Sequence, residues 1–201
     1  KDTAGNTLSS QYETSSGFTT SSSSASSRTA TAISAGSNHT CALLDNASVK
    51  CWGYNNYGQL GIDNTTDMGD NSGEMAVLPV VNLGTGRTAT AISLHANQSC
   101  ALLDNASVKC WGSNQHGRLG LGNNNTIGDQ SGEMAALTGI DLGTGRTATA
   151  IAAGGNHTCA LLDNASVKCW GRNNYGQLGI DNTTNMGDNS SEMAVLPFIN
   201  L

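Results

Sequence analysis

From Thr29 to Ala35, small polar and aliphatic residues alternate with the two-residue period of a half-buried β-strand. Thr40 to Leu44 and Val49 to Gly53 read as two further strands, because they flank Asp45-Asn46-Ala47-Ser48, a cluster of turn-forming residues. A hairpin centred on Asn46 sets Cys41 opposite Cys51, Ala42 opposite Lys50 and Leu43 opposite Val49. Residues opposed at a non-hydrogen-bonded position lie close enough for a disulfide. Closing that loop is worth about 2–3 kcal/mol in the chain-entropy model. A glycine-rich stretch, Tyr54 to Gly61, and a long polar loop come next. The apolar run at residues 76–83 then reads as a fourth strand, at an outer edge because Pro79 has no N–H to give a ladder.

The whole pattern returns after 59 residues and again after another 59, as the spacing of Cys41, Cys100 and Cys159, and of Cys51, Cys110 and Cys169, shows. Full periods occupy 25–83, 84–142 and 143–201, and residues 1–24 form a Ser/Thr-rich tail. Each period is then the unit of folding. The tail reads either as a flexible, O-glycosylated linker or as an extended segment able to add to a neighbouring sheet.

Composition narrows the function classes. Charged residues make up 12% of the 201 residues and aromatics 4%, with 25 glycines, so burial rests on Ala, Val, Leu, Ile and the three Trp. A net charge of −6 argues against a nucleic-acid partner, which needs clustered Lys and Arg. Six cysteines in equally spaced pairs point to disulfides in an oxidising compartment, hence an extracellular or cell-surface location. The first residue is Lys1, which fits a signal peptide already removed, and no apolar run reaches the ~18 residues of a membrane span.

The string His39-Thr40-Cys41-Ala42-Leu43-Leu44-Asp45-Asn46, with Val49-Lys50-Cys51-Trp52-Gly53 and Asn56-Tyr57-Gly58-Gln59-Leu60-Gly61, closely resembles the regulator of chromosome condensation repeat. The resemblance recurs over 157–178 and, less perfectly, over 98–119. It implies a β-propeller fold of four-stranded blades, usually about seven of them. The cysteine-bearing form resembles secreted or surface repeats of microbes. The expected fold is therefore all-β, three tandem four-stranded antiparallel propeller-type blades forming an open arc. The family's founding activity, nucleotide exchange on a nuclear GTPase with chromatin binding, does not carry over to an acidic, cysteine-paired chain of three repeats. Secreted members that bind proteins, such as a β-lactamase inhibitor, are closer in character, although none of their contact residues is matched.

Candidate chemistry is sparse. Ten Asn-x-Ser/Thr sequons mark possible N-glycan acceptors: Asn38, Asn46, Asn64, Asn97, Asn105, Asn124, Asn156, Asn164, Asn182 and Asn189. Asp63, Asp67 and Glu74 fall at positions 1, 5 and 12 of a calcium-binding loop, but Gly69 comes one place late and Gly122 replaces the first carboxylate in the second repeat. The alternative is that these carboxylates accept backbone N–H bonds in a turn. His39 and His157 share a position whose counterpart is Gln98, which does not suit a repeated metal ligand. Gly84-Thr85-Gly86-Arg87 lacks the remaining parts of a phosphate loop and reads as a turn between blades. Trp52, Trp111 and Trp170 each follow a strand cysteine and read as core or blade-interface residues. No recurring catalytic arrangement is visible, so the expectation is a structural or binding protein with no metal and no cofactor.

Three blades leave two blade faces uncovered. The C-terminal run Ala194, Val195, Leu196, Pro197, Phe198 and Ile199 is an outer strand with no blade after it, while Gly17 to Ser24 stands where blade 1 lacks a preceding apolar strand. A head-to-tail contact in which that strand completes blade 1 of the next subunit gives a ring or filament, so the expected partners are further copies of the chain, in a glycosylated assembly. The alternative is a fragment of a seven-bladed adhesin or inhibitor, contacting its target through positions that differ between repeats, such as Tyr54/Ser113/Arg172 and Tyr57/His116/Tyr175.

Overall fold

In the computed structural model, the structure describes residues 28–199; the tail assigned to 1–24 and the last two residues lie outside that range. Among the described residues, nine strands form three antiparallel sheets, each in simple meander order: β1 (Ala30–Ala35), β2 (His39–Leu44) and β3 (Val49–Gly53), then β4 (Ala89–His95), β5 (Gln98–Leu103) and β6 (Val108–Gly112), then β7 (Ala148–Ala153), β8 (His157–Leu162) and β9 (Val167–Gly171). The hairpin register is the one centred on Asn46, with Cys41 opposite Cys51, Ala42 opposite Lys50 and Leu43 opposite Val49, and it repeats in the other two sheets. Disulfides join Cys41 to Cys51, Cys100 to Cys110 and Cys159 to Cys169, with Cα atoms 4.0–4.1 Å apart.

Each hairpin turns over three residues. The Leu44 N–H donates to the Ser48 carbonyl (2.9 Å) and the Ala47 N–H to the Leu44 carbonyl (2.8 Å). Closing so short a turn puts its last residue in the left-handed region, where Ala47, Ala106 and Ala165 have φ of 60°, 61° and 65°.

The expected fourth strand is corrected. Residues 76–83 begin inside a one-turn helix, α1 (Glu74–Val77), matched by α2 (Glu133–Ala136) and α3 (Glu192–Val195). The cause lies just upstream: the Glu74 carboxylate accepts the N–H groups of Gly69 (2.7 Å) and Asn71 (3.0 Å), which folds the chain into a tight turn that leads into the helix. Beyond it the chain is extended and touches its own sheet through a single backbone bond, from the Val81 N–H to the Val49 carbonyl (2.8 Å). The C-terminal run behaves alike. Ala194 and Val195 are helical, and the Ile199 N–H donates to Val167 of the same blade (2.8 Å). The backbone bond expected to reach a neighbouring subunit is made at home, so donation of Ala194 to Ile199 as a free strand is not what the structure offers.

The apolar core lies between the blades. One cluster joins Cys41, Leu43 and Leu60 of blade 1 to Ala101, Leu103 and Trp111 of blade 2, and a second joins Cys100, Leu102 and Leu119 to Ala160, Leu162 and Trp170 of blade 3.

A non-glycine residue held left-handed costs about 1–2 kcal/mol, part of which glycine returns as chain entropy. Ala47→Gly, Ala106→Gly and Ala165→Gly are therefore each expected to stabilise the chain by roughly 0.5–1 kcal/mol. Denaturant melts of the single variants check this; an unchanged or lowered midpoint would contradict the assigned turn.

Candidate functional site

The middle strands show how a blade meets its neighbours. Successive residues of a strand point to opposite faces, and in β5 all six are buried. The face carrying Gln98, Cys100 and Leu102 turns toward blade 3, and the face carrying Ser99, Ala101 and Leu103 toward blade 1. Among the described residues, each end blade has one of these faces uncovered. In β2 the face toward blade 2 is buried at His39, Cys41 and Leu43, whereas Thr40 and Leu44 on the other face are only half-buried. In β8 the pattern inverts: Thr158, Ala160 and Leu162 are buried, while Leu161 is 41% exposed against 7% and 6% for its counterparts Leu43 and Leu102.

A tryptophan locks each seam. Trp111 donates its indole N–H to the Gln59 carbonyl (3.0 Å), which also accepts the Ser99 hydroxyl (2.8 Å). Trp170 and Thr158 do the same at the Arg118 carbonyl (3.0 and 2.8 Å). The socket depends on glycine: a Cβ on Gly61 or Gly120 would stand 2.7 Å from the indole nitrogen, and one on Gly58 or Gly117 would meet the next blade's backbone at 2.2 Å. Further stitches run from the Leu94 N–H to Ser34 Oγ (3.0 Å), from the Ala153 N–H to Ser93 Oγ (2.9 Å) and from the Met134 N–H to Asp63 Oδ1 (2.9 Å). Among the described residues, every hydrogen bond that crosses between blades joins blade 1 to 2 or 2 to 3.

At the open face of blade 3 the same socket is present without a tryptophan. Gly176, Gly179 and Ile199 line a groove of about 590 Å³ with Tyr175 and Asp181, and none of the described residues stands within 4 Å of a Cβ built on Gly176. Tyr175 is 86% exposed. At the other end Trp52, the counterpart of the buried Trp111 and Trp170, is half-buried.

This seam, repeated at one register, corresponds to a known repeat. A family model for the regulator of chromosome condensation (RCC1) repeat matches residues 30–59, 96–118 and 148–177. The chain carries three RCC1 repeats. The ultraviolet-B receptor UVR8 of Arabidopsis thaliana is 29% identical over 154 residues, covering 76% of this chain and 32% of the receptor. Human WBSCR16 superimposes with a TM-score of 0.58 at 16% identity, over 79% of this chain and 36% of that one. Prp20p of Saccharomyces cerevisiae gives 0.52 at 23% identity, over 76% and 34%. These likenesses establish the fold, and the chain spans about a third of the length of each of the three.

Within the RCC1 frame, the remaining candidates take their places. Asn38, Asn46, Asn64, Asn105, Asn124, Asn164, Asn182 and Asn189 are exposed, and Asn97 and Asn156 are half-buried. Glu133 and Glu192 bind turn N–H groups as Glu74 does, with bonds of 2.7–3.0 Å. Glu74's own bonds hold its half-buried carboxyl down at about 2, with the Asn71 and Gly69 N–H groups the main causes. Among the described residues no group of three His, Cys, Asp or Glu stands together as a metal would require.

Arg118 replaces the buried Gln59 in the second repeat. Its guanidinium reaches the Gly155 carbonyl (3.1 Å) and Ser113 Oγ (2.7 Å), and burial lowers its pKa against a smaller upward pull from Tyr57. The sequence did not single out Arg118, or the Gln59 carbonyl, as seam residues. Only the recurrence of Gly-x-Leu-Gly beside them hinted at a constrained backbone.

His39 is buried in the first seam with Nε2 2.8 Å from Ser99 Oγ, and burial holds its pKa down at about 4 against a smaller upward effect of the Ala96 carbonyl. Because the folded value lies below the unfolded one, this stability is complete above pH ~6.5 and is lost as pH falls toward 4. The loss reaches the order of 3 kcal/mol near pH 4. Thermal melts between pH 7 and 4 are expected to show a falling midpoint, flattened most by His39→Gln, the residue blade 2 carries at that position. Equal acid sensitivity in the variant would place the titrating group elsewhere.

Proposed function

We propose that this chain is a protein-binding module whose end faces are completed by other copies of itself, blade 3 of one chain against blade 1 of the next, to build an extracellular structural assembly. One observation carries the reading: the tryptophan socket is filled at both internal seams and is lined again at blade 3, while Trp52 waits at the opposite end of the same chain. The contact is side chain into socket and face against face. Its two surfaces already fit each other twice within the molecule, and head-to-tail contacts of this kind propagate into rings or filaments. Burying an indole supports such a contact with roughly 1.5–3 kcal/mol before its hydrogen bond. The extracellular setting is supported by three disulfides, a bond type that persists in oxidising compartments.

A second reading has its own support. Since the chain spans about a third of its relatives, further RCC1 repeats of one propeller would satisfy the same faces, and the product would be a closed adhesin-like or inhibitor-like binder. Prp20p, described with its binding properties to Gsp1p and histones, is a propeller of similar fold that binds proteins.

Light scattering across a concentration series, with electron microscopy of the same samples, tests the proposal. Wild type is expected to grow into rings or filaments. Trp52→Ala, Leu161→Arg and Gly176→Asn are each expected to arrest it as a monomer; asparagine tolerates the left-handed backbone of Gly176 (φ 72°), so that variant leaves the blade folded. A wild-type chain that stays monomeric at high concentration, or variants that assemble as well as it does, would overturn self-completion.

A further inference from the structure

The sequons separate once their side chains are seen. At the tip of each hairpin the Asn and Ser of one Asn-Ala-Ser triplet face each other: Asn46 Oδ1 accepts the Ser48 hydroxyl at 2.7 Å, Asn105 Oδ1 that of Ser107 at 2.7 Å, and Asn164 Oδ1 that of Ser166 at 2.6 Å. The backbone N–H of each Ser adds a longer bond to the same oxygen, 3.2–3.3 Å. The carboxamide is thus held by its oxygen alone, and its exposed Nδ2 makes no hydrogen bond among the described residues.

Most of the other sequons are spent on the fold. Ser99 and Thr158, the hydroxyl residues of the Asn97 and Asn156 triplets, are buried and donate across the seams. Asn189 uses Nδ2 twice, toward Asp188 Oδ1 and Glu192 Oε1. Asn64 and Asn182 tie Nδ2 to the carbonyls of Ile62 and Ile180. Asn124 Oδ1 accepts the Gly117 N–H, a bond that braces the Arg118 turn. Asn38 is exposed, but among the described residues the Thr40 hydroxyl of its triplet makes no bond to its carboxamide, unlike the Ser hydroxyls at the three tips.

We infer that Asn46, Asn105 and Asn164 are N-glycan acceptors, one per blade, and that the hairpin tips form a sugar-bearing rim. The tips remain exposed even in blade 2, whose two faces are both covered, so glycans there are compatible with seams at either end. In the transfer, Nδ2 attacks the anomeric carbon of a sugar carried on a phosphate-linked donor. The N–C1 bond forms, the C1–O bond to phosphate breaks, the phosphate leaves with the electron pair, and one Nδ2 proton passes to a base of the transferase. The Ser hydroxyl already bonded to the amide oxygen orients that amide for attack. The remaining N–H of the product is free, so no bond of the fold is lost.

The inference stands apart from the assembly proposal and is tested without it. Intact mass and glycopeptide mapping of the protein from its natural source are expected to show whole-glycan increments on these three asparagines. Enzymatic release of the glycans in ¹⁸O water should convert the same three to labelled Asp. Expressed in the same source, Ser48→Ala, Ser107→Ala and Ser166→Ala, which keep each Asn, should abolish its modification as completely as Asn→Gln does. Tips found unmodified, with or without sugar on the other seven sequons, would overturn it, and so would Ser→Ala variants that remain glycosylated.

Discussion

A small antiparallel sheet that is apolar on both faces has no solution alone. β2, β5 and β8 carry side chains such as Cys, Ala and Leu on alternate faces, and each face needs something to lie against. The rest of the molecule follows from this. The disulfide fixes the hairpin register inside each blade, so the two faces are defined before any neighbour is met, and stacking then hides both at once. Packing between blades, with each core cluster shared by two of them, explains why β5 and β6 of blade 2 are buried throughout while, among the described residues, its neighbours each keep one open side.

The sequence carried the hairpins plainly. Period-two alternation, a turn cluster at Asp45-Asn46-Ala47-Ser48 and cysteines equidistant from Asn46 all describe local geometry, and local geometry is what a sequence displays most directly. The run at residues 76–83 misled because its apolar character is real but its conformation is set from upstream. The Glu74 carboxylate gathers the N–H groups of the preceding turn, and one turn of helix takes up the segment that composition assigned to a strand. Pro79 told against a ladder, and the single bond from Val81 is what remains of one.

The faces between blades were only half legible. That Trp52, Trp111 and Trp170 belong to the core or to blade interfaces could be read from their position beside the strand cysteines. What they insert into could not, because the socket is made of the absence of side chains at Gly58 and Gly61 and of a carbonyl whose residue varies. The same holds for His39 and Gln98: two unlike residues occupy one position because each offers a donor to the hydroxyl of the next blade, Ser99 or Thr158. The sequons were legible in part: the hairpin pattern already puts Asn46, Asn105 and Asn164 at turn tips, but the motif alone is the same at all ten and the bonds around each add the rest.

The acceptor at the centre of every seam is a main-chain carbonyl, at Gln59 in one case and Arg118 in the other. Mutation cannot remove a carbonyl, so the joint between two blades is insulated from drift at the residue that supplies it, and a copied blade arrives with a working connector at each end. A unit that carries the tryptophan on one side and the glycine-framed carbonyl on the other needs no new surface to join a further copy, so the joint sets no limit of its own on the number of units.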